Sequence, residues 1–207
     1  MENTLEQPVA CTRPSLFDDL DALVRSRRAP IRFTRDPVPR EVVDNALAIA
    51  AQADARDDIP RCRFLVLAEP GQRQRLVRAA SLDHGIGEAP VLVVAFTQGR
   101  IAANRDEDAA SVSSPLRRQG HQVMIAFTFL LLAVEAQGWD AAPVARFDSA
   151  AIPRAFDLPD DAEVAALIAI GRAAGTRPAS RAPVRVSEIA FRERYGVPLI
   201  PFNESES

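Results

Sequence analysis

The sequence predicts a domain that is either an α+β or an α/β sandwich, built around one buried helix. Residues 123–134 are apolar except for Thr128, and a helix that is apolar on every side must be surrounded by other elements. Three further apolar runs, at 63–68, 90–97 and 162–171, have the length of buried strands. Because helical stretches separate these runs, we expect helices to pack in layers against a sheet.

The composition is that of an ordinary globular protein, and it excludes several kinds of chemistry. A chain of 207 residues, 47% hydrophobic and 26% charged, is large enough for one domain with a sizeable core. Its net charge of −3 leaves no excess of positive charge to neutralise phosphates, so we expect no general binding of nucleic acid. All 25 basic residues are arginines, which excludes Schiff-base chemistry on lysine. Neither the two cysteines nor the two histidines show the spacing of metal ligands, and we expect no metal site.

The chain begins with a polar segment followed by a helix. Residues 1–14 contain two prolines and are expected to form a flexible arm. They lack the apolar stretch of an export signal, so a cytoplasmic location is expected. Ser15 is the expected N-cap of a first helix, which stops before Pro30. Apolar side chains recur along this helix at helical spacing and predict its buried face: Leu16, Leu20, Leu23 and Val24.

Between the first helix and the central one, helices and strands alternate. After an extended connector, Pro39 begins a second helix. Its predicted buried face consists of Val42, Ala46, Ile49, Ala50 and Ala53. A strand at 63–68, a short helix at 72–80 and a second strand at 90–97 follow, and the continuous apolar run of that second strand is typical of a sheet covered on both faces. Residues 99–115 are polar and without periodicity, and loops of this length are often functional.

The central helix is predicted over residues 120–138, with polar residues near both ends and Gly138 as its stop. A pair of buried strands is the alternative, but no turn residue interrupts the apolar run. That run is shorter than the ~20 residues that cross a bilayer, so no membrane span is expected. The elements predicted beyond it are a short helix at 149–156, a third strand at 162–171, a linker at 178–183 and a helix at 186–195. The domain is thus predicted to span residues 15–196, with 197–207 as an extended tail.

Three stretches, taken in order, resemble the nitroreductase family of FMN-dependent oxidoreductases. Residues 25–53 are similar to the family's opening, in which basic residues precede an aromatic residue and a helix start. Residues 138–171 are similar to its glycine-centred turn, its LPDD-type turn and its final strand. Residues 180–196 resemble its basic C-terminal segment and last helix. The resemblance covers residues 16–196 and implies a three-layer α+β sandwich that forms an intertwined homodimer, with the central helix at the subunit interface and FMN in a cleft between the subunits.

The resemblance also assigns positions that contact the FMN phosphate. Arg27 and Arg28 match the family's basic pair, and Arg181 matches its phosphate-binding arginine. Arginine suits a phosphate because it offers charged, paired donors. The alternative interpretation of Arg27 and Arg28 is a solvated helix end, where basic side chains favour the helix dipole.

At the flavin ring, the corresponding positions are substituted. The family's serine falls on Ala29, and the basic residue beside the pyrimidine edge of the ring falls on Ile31. Arg32 is one position later and points to the opposite side unless the backbone shifts. The family's asparagine falls on Asp58, whose charge opposes a ring that becomes negative on reduction.

The turn on the N5 side of the ring falls on residues 143–146. Val144 and its neighbours offer backbone donors there, and Arg146 replaces a small residue. By this resemblance, phosphate recognition is partly preserved and ring recognition is eroded.

The resemblance implies hydride transfer from NAD(P)H, through bound FMN, to an electron-poor small molecule such as a nitroaromatic or a quinone. No side chain need act as acid or base in that mechanism, so no catalytic residue is assigned. The alternative is a flavin-free member that keeps the dimer and acts as a binding or interaction protein with another anionic ligand. A further alternative is different flavin chemistry, such as flavin fragmentation or azoline oxidation.

Overall fold

The computed structural model describes residues 14–54, 62–98, 115–175 and 184–199. The helices are α1 (Pro14–Ser26), α2 (Arg40–Ala50), α3 (Pro70–Ala79), α4 (His84–Gly87), α5 (Pro115–Ala136), α6 (Ile152–Ala155) and α7 (Val186–Ile189), with a 3-10 helix (Ala51–Asp54) after α2. The strands are β1 (Cys62–Leu67), β2 (Val91–Thr97), β3 (Asp140–Pro143) and β4 (Glu163–Gly171). The predicted arm and the polar loop at 99–115, apart from the last residue of each, and the tail beyond residue 199 lie outside the described residues.

The four strands form one antiparallel sheet in the order β1-β2-β4-β3. Strand β2 lies in the middle, and its Val94 is opposite Leu65 of β1 on one side and Leu167 of β4 on the other. All seven residues of β2 are buried, as the continuous apolar run predicts. An antiparallel sheet with helices packed on it is an α+β arrangement, so the α/β alternative does not apply.

Helices cover both faces of the sheet and give three layers. On one face, α2 and α5 pack against the odd-numbered residues of β2, with Val123, Phe127, Leu130 and Val134 forming the buried stripe of α5. This spacing of three and four residues is that of one helix face. On the other face, a second buried cluster joins α3 and α6 to the even-numbered residues of β2, with Leu76, Ile152 and Leu92 among its fully buried members. The three-layer α+β sandwich is therefore confirmed.

The expectation that the central helix is surrounded on all sides is not met within one chain. Met124 and Ile125 are each 47% exposed and Phe129 is 38% exposed. The sheet and α2 cover only the opposite stripe of α5, so one apolar face of the helix has no cover among the described residues of the chain.

The predicted buried face of α1 is also wrong within one chain. Leu16, Leu20 and Val24 are between 51% and 56% exposed, Phe17 is 71% exposed, and Leu23 is half-buried. No side chain of α1 belongs to either buried cluster, because α1 lies beside α5 at the margin of the core. On α2, Ile49 is likewise exposed although the pattern placed it on the buried face.

Several predicted boundaries differ from the observed ones. Helix α1 begins at Pro14, so Ser15 lies within its first turn and not at the N-cap. The helix predicted at 186–195 ends at Ile189, because the chain then turns back and pairs Phe191 with Pro198. Strand β3 and helix α4 were not predicted, since each has only four residues and these carry a proline or two glycines.

Candidate functional site

Arg27, at the end of α1, has a buried side-chain donor without an acceptor among the described residues. It directly follows α1, and its backbone N–H donates to the carbonyl of Leu23 at 3.2 Å. Its side chain is half-buried, and its Nη1 atom is fully buried with no hydrogen-bond partner among the described residues. A buried donor of a charged group without an acceptor is costly, so this geometry fits an anionic group placed against Arg27.

Arg28 has a different environment. Its Nη1 donates to the carbonyl of Arg25 at 2.7 Å and to that of Arg27 at 2.8 Å. These bonds satisfy carbonyls at the end of α1, where the helix dipole favours a cation. The helix-end interpretation therefore applies to one nitrogen of Arg28, while its Nε and Nη2 have no acceptor among the described residues.

A third basic residue at this helix end, Arg25, is already paired. Its Nε lies 2.7 Å from a carboxylate oxygen of Asp21, one helical turn earlier. The hydrogen bond and the charge of Asp21 raise the pKa of Arg25 above its usual value. Arg25 is therefore neutralised locally, and Arg27 and Arg28 supply the positive charge without an acidic partner among the described residues.

The connector after α1 is held in place by the sheet and by α4. The N–H of Thr34 donates to the carbonyl of Arg172, and the N–H of Ala174 donates to the carbonyl of Arg32, so the connector pairs with the chain that follows β4. The carbonyl of Ile31 lies against Gly85, where an added Cβ would be only 2.5 Å from that oxygen. A glycine is therefore required at this close approach.

The positions assigned to the flavin ring on this connector lie at the surface. Ala29 is exposed, and the side chain of Ile31 is 74% exposed. Arg32 Nη2 lies 4.0 Å from a carboxylate oxygen of Glu88, so the neighbouring cation is directed towards Glu88, which follows α4. Sequence reasoning considered Gly85 only as part of a glycine pair that does not match a dinucleotide-binding motif, and it did not single out Glu88; the signal available was the four-residue spacing of His84 and Glu88.

The turn at 143–146 follows β3 directly. The N–H of Val144 donates to the carbonyl of Leu167 at 2.8 Å and so extends the pairing of β3 with β4. Ala145 and Arg146 are exposed, and their N–H groups have no partner among the described residues. Backbone donors for a ligand are thus available at residues 145 and 146, and the N–H of Val144 is already engaged.

The connector after α1 and the turn at 143–146, which carry the assigned residues, lie at different positions along the direction of β4. Val144 is bonded beside Leu167, whereas Phe33 of the connector pairs with Ala173, six residues further on (173 − 167). At ~3.3 Å per residue this is roughly 20 Å, so the two segments of one chain do not meet at one flavin ring, and a ring site that uses both needs the connector and the turn of different subunits. Asp58 and Arg181 lie outside the described residues, and the structure does not place them.

The described residues contain no group of three His, Cys, Asp or Glu side chains able to hold a metal ion. None of the described helices combines the length and the hydropathy needed to cross a membrane.

The fold agrees with the family of the chain. A model of the Nitroreductase family matches residues 61–172, which is more than half of the chain. The chain therefore belongs to the nitroreductase family, and it is an oxidoreductase by that membership.

Relatives of the chain have names that denote different activities. The NADH dehydrogenase of Thermus thermophilus is 24% identical over an alignment of 176 residues. The alignment covers 74% of this chain and 86% of that protein. The 5,6-dimethylbenzimidazole synthase of Rhodospirillum rubrum is 29% identical over 180 residues, or 76% and 83% of the two chains. Among solved structures, an FMN-dependent nitroreductase of Clostridium difficile R20291 superposes with a TM-score of 0.66 at 14% identity, covering 84% of this chain and 99% of that one. At this identity, the superposition shows a shared fold.

Proposed function

We propose that the protein is a homodimeric FMN-dependent oxidoreductase that passes hydride from NAD(P)H to an electron-poor small molecule such as a nitroaromatic or a quinone. The observation that carries the proposal is the buried Nη1 of Arg27, which has no hydrogen-bond partner among the described residues. A guanidinium in that state needs an anion, and the phosphate of FMN is a suitable one. A solved protein of the same fold is FMN-dependent, and one relative is named as an NADH dehydrogenase.

In this proposal the basic residues hold the phosphate end of the cofactor. Arg27 donates from Nη1, and Arg28 donates from Nε and Nη2 because its Nη1 is engaged with the helix end. Arg181, which lies outside the described residues, is the third member of the phosphate site. Arg25 takes no part, since Asp21 already neutralises it.

The ring end is held by the backbone of the segment after β3. Ala145 and Arg146 present N–H groups that have no partner among the described residues and can donate to the ring, and Arg146 adds a cation beside them. When bound, FMN supplies the two-electron chemistry of accepting and donating a hydride. The chain's own contribution is to orient the cofactor and to leave space for two substrates in turn, so no acid or base residue is required.

The proposed dimer is supported by an apolar surface that the described residues of one chain leave uncovered. Met124, Ile125 and Phe129 on α5 and Phe17 and Leu20 on α1 are exposed, and α1 lies beside α5. Clustered exposed apolar side chains mark interaction surfaces. A second copy of the chain, meeting the first along α5, would bury them and complete the surroundings that an all-apolar helix requires. A cytoplasmic location is part of the proposal because NAD(P)H is supplied there.

A flavin-free binding protein is the competing function, and specific observations favour it. Ile31 is exposed where the family resemblance places a cation, and the N–H of Val144 is engaged with Leu167. Flavin fragmentation is a second competitor, because one relative is named as a 5,6-dimethylbenzimidazole synthase.

The deciding experiment is a titration of the purified full-length protein with FMN, followed by flavin absorbance, and an assay of NADH and NADPH oxidation with menadione or nitrobenzoate as acceptor. Saturable FMN uptake and FMN-dependent oxidation of either nucleotide are expected. A dimer that takes up no FMN and oxidises neither nucleotide would favour the binding protein. Loss of the flavin spectrum with formation of dimethylbenzimidazole would favour fragmentation.

A further inference from the structure

A cleft of about 420 Å³ lies between α3, α4 and the connector that precedes α2. It is on the layer of the sheet opposite α5. Its lining includes Pro70, Val77 and Pro90, which are apolar, and Arg35, Arg73 and Glu88, which are charged. We propose that this cleft is a separate binding site for a small organic anion with an apolar body, such as an alicyclic carboxylate.

The first reason is a local excess of positive charge around one carboxylate. Glu88 is only 19% exposed, and three basic groups surround it: Arg35 Nη2 at 3.3 Å, His84 Nε2 at 3.8 Å and Arg32 Nη2 at 4.0 Å. One carboxylate can neutralise only one of the two arginines. Positive charge therefore remains at the rim of the cleft in a protein whose net charge is −3.

The second reason is a fixed donor inside the cleft. Arg73 donates from Nε to the carbonyl of Ala68 at 3.1 Å and from Nη1 to that of Ala89 at 2.8 Å. These bonds tie the start of α3 to the segment before β2 and hold the planar guanidinium in one orientation. Its Nη2 has no acceptor among the described residues. A donor that is already immobile loses little entropy on binding a ligand.

The third reason is the apolar floor. Gly87 approaches Val77 so closely that an added Cβ would lie 2.9 Å from Val77 Cγ2. Val77 and the rings of Pro70 and Pro90 leave an apolar surface next to the charged rim. Small-molecule sites are typically clefts of ~300–1,000 Å³ with a mainly apolar lining and a few convergent polar groups. A free inorganic anion would use the rim alone, whereas an organic anion uses the rim and the floor together.

The chain has two histidines, His84 and His121, so the imidazole Cε1–H resonance of His84 is a site-specific probe. We would titrate the full-length protein with cyclohexanecarboxylate, acetate and cyclohexylmethanol and assign the resonance with His121→Gln. Cyclohexanecarboxylate is expected to shift the His84 signal saturably. Acetate lacks the apolar body and cyclohexylmethanol lacks the charge, so each is expected to bind at least about tenfold more weakly.

Two variants and one control test the assignment of residues. Arg35→Ala is expected to weaken cyclohexanecarboxylate binding about tenfold by removing one charged donor. Gln74→Glu adds a negative charge at an exposed lining position and is expected to weaken it as well. Arg78→Ala, an exposed arginine of α3 outside the lining, should leave the affinity unchanged, and circular dichroism checks that each variant is folded.

Three results would overturn the proposal. The first is no saturable shift of the His84 resonance up to about 10 mM cyclohexanecarboxylate. The second is an equal response to acetate, which would indicate ion pairing at the rim only. The third is displacement of cyclohexanecarboxylate by saturating FMN, which would make the cleft part of the flavin site. Failure of FMN to bind at all would leave the expected shift unchanged, because the cleft does not depend on the cofactor.

Discussion

Arg28 donates its Nη1 to the carbonyl of Arg27 at 2.8 Å, so two adjacent arginines at the end of α1 have different tasks. Arg28 closes the helix, and in doing so it fixes the backbone of the residue before it. The side chain of Arg27 is left with a buried nitrogen that finds no acceptor for its N–H groups among the described residues. One nitrogen of Arg28 therefore has a structural role, whereas the buried Nη1 of Arg27 is available to a ligand.

Replacing Arg27 should therefore weaken FMN binding without weakening the apo-protein. A charge-assisted hydrogen bond contributes ~1.5–3 kcal/mol, so Arg27→Ala is expected to raise the FMN dissociation constant about 10- to 100-fold. The melting temperature of the FMN-free protein is expected to stay the same or rise, because the substitution removes a buried unpaired donor. The measurements are FMN titration by flavin fluorescence and thermal unfolding.

Arg25→Ala is the matched control for this prediction. It removes an arginine two residues away that is paired with Asp21 at the surface. FMN affinity should remain within about twofold, since exposed ion pairs contribute little. Equal losses of affinity in the two variants would show that the substitutions disturb the end of α1 and not a phosphate contact.

A cation placed at residue 31 is expected to raise the reduction potential of bound FMN. Ile31 is 74% exposed, so an arginine fits there without repacking the core. Positive charge beside a ring that becomes negative favours the reduced form. Ile31→Arg should raise the two-electron midpoint potential by at least about 30 mV, which corresponds to ~1.4 kcal/mol.

Ile31→Gln separates charge from polarity in that experiment. The amide is polar and uncharged, so the potential should stay near the wild-type value. An equal rise in the glutamine and arginine variants, measured by equilibration with reference dyes, would contradict the electrostatic explanation and the placement of residue 31 beside the ring.

Replacing two glycines by alanine is expected to have opposite effects on stability, because Gly85 of α4 lies against the connector and Gly71 of α3 has open space around it. An added Cβ at Gly85 would lie 2.5 Å from the carbonyl of Ile31 and 2.8 Å from Arg32 Cγ. Gly85→Ala should therefore destabilise the fold by ~1–3 kcal/mol through overpacking. Gly71 has open space around it, so Gly71→Ala should stabilise α3 by about 0.5 kcal/mol. Urea unfolding measures both, and a neutral Gly85→Ala would show that α4 can move away from the connector.

The sheet could be predicted from sequence because its three long strands are apolar on both faces. The runs at 63–68, 90–97 and 162–171 coincide with β1, β2 and β4 to within one residue at each end. Strand β3 was missed because its pairing with β4 depends on tertiary contact and not on any period in four residues. The same limit applies to α4, which two glycines disfavour as a helix.

The presence of the longer helices could be predicted from the sequence, but which of their apolar side chains are buried within one chain could not. Periodicity marks which face of a helix is apolar, and it does not say whether that face meets the same chain or another molecule. Phe129 and Leu20 were therefore expected in the core and are exposed. At the candidate site, the sequence indicated Arg27 by resemblance, but its unpartnered nitrogen depends on how α1 ends and packs, which no local pattern encodes.

The exposed stripe of α5 predicts that a single charge will dissociate the proposed dimer. Ile125 is 47% exposed and lies between Met124 and Phe129, which are also exposed. In a dimer that meets along α5, Ile125→Glu would bury a carboxylate with no partner, at a cost of several kcal/mol. Sedimentation velocity should give a dimer for the wild type and a monomer for Ile125→Glu, with the FMN affinity reduced because the cleft between subunits is lost.

Arg78→Glu is the control for that substitution, since it introduces the same carboxylate at an exposed position of α3, on the opposite layer of the sheet. This variant should remain a dimer and keep its affinity for FMN. A wild-type protein that sediments as a monomer at micromolar concentration would contradict the shared interface. A monomeric Ile125→Glu protein that binds FMN with unchanged affinity would instead place the flavin within one chain, with Arg27 still its test residue.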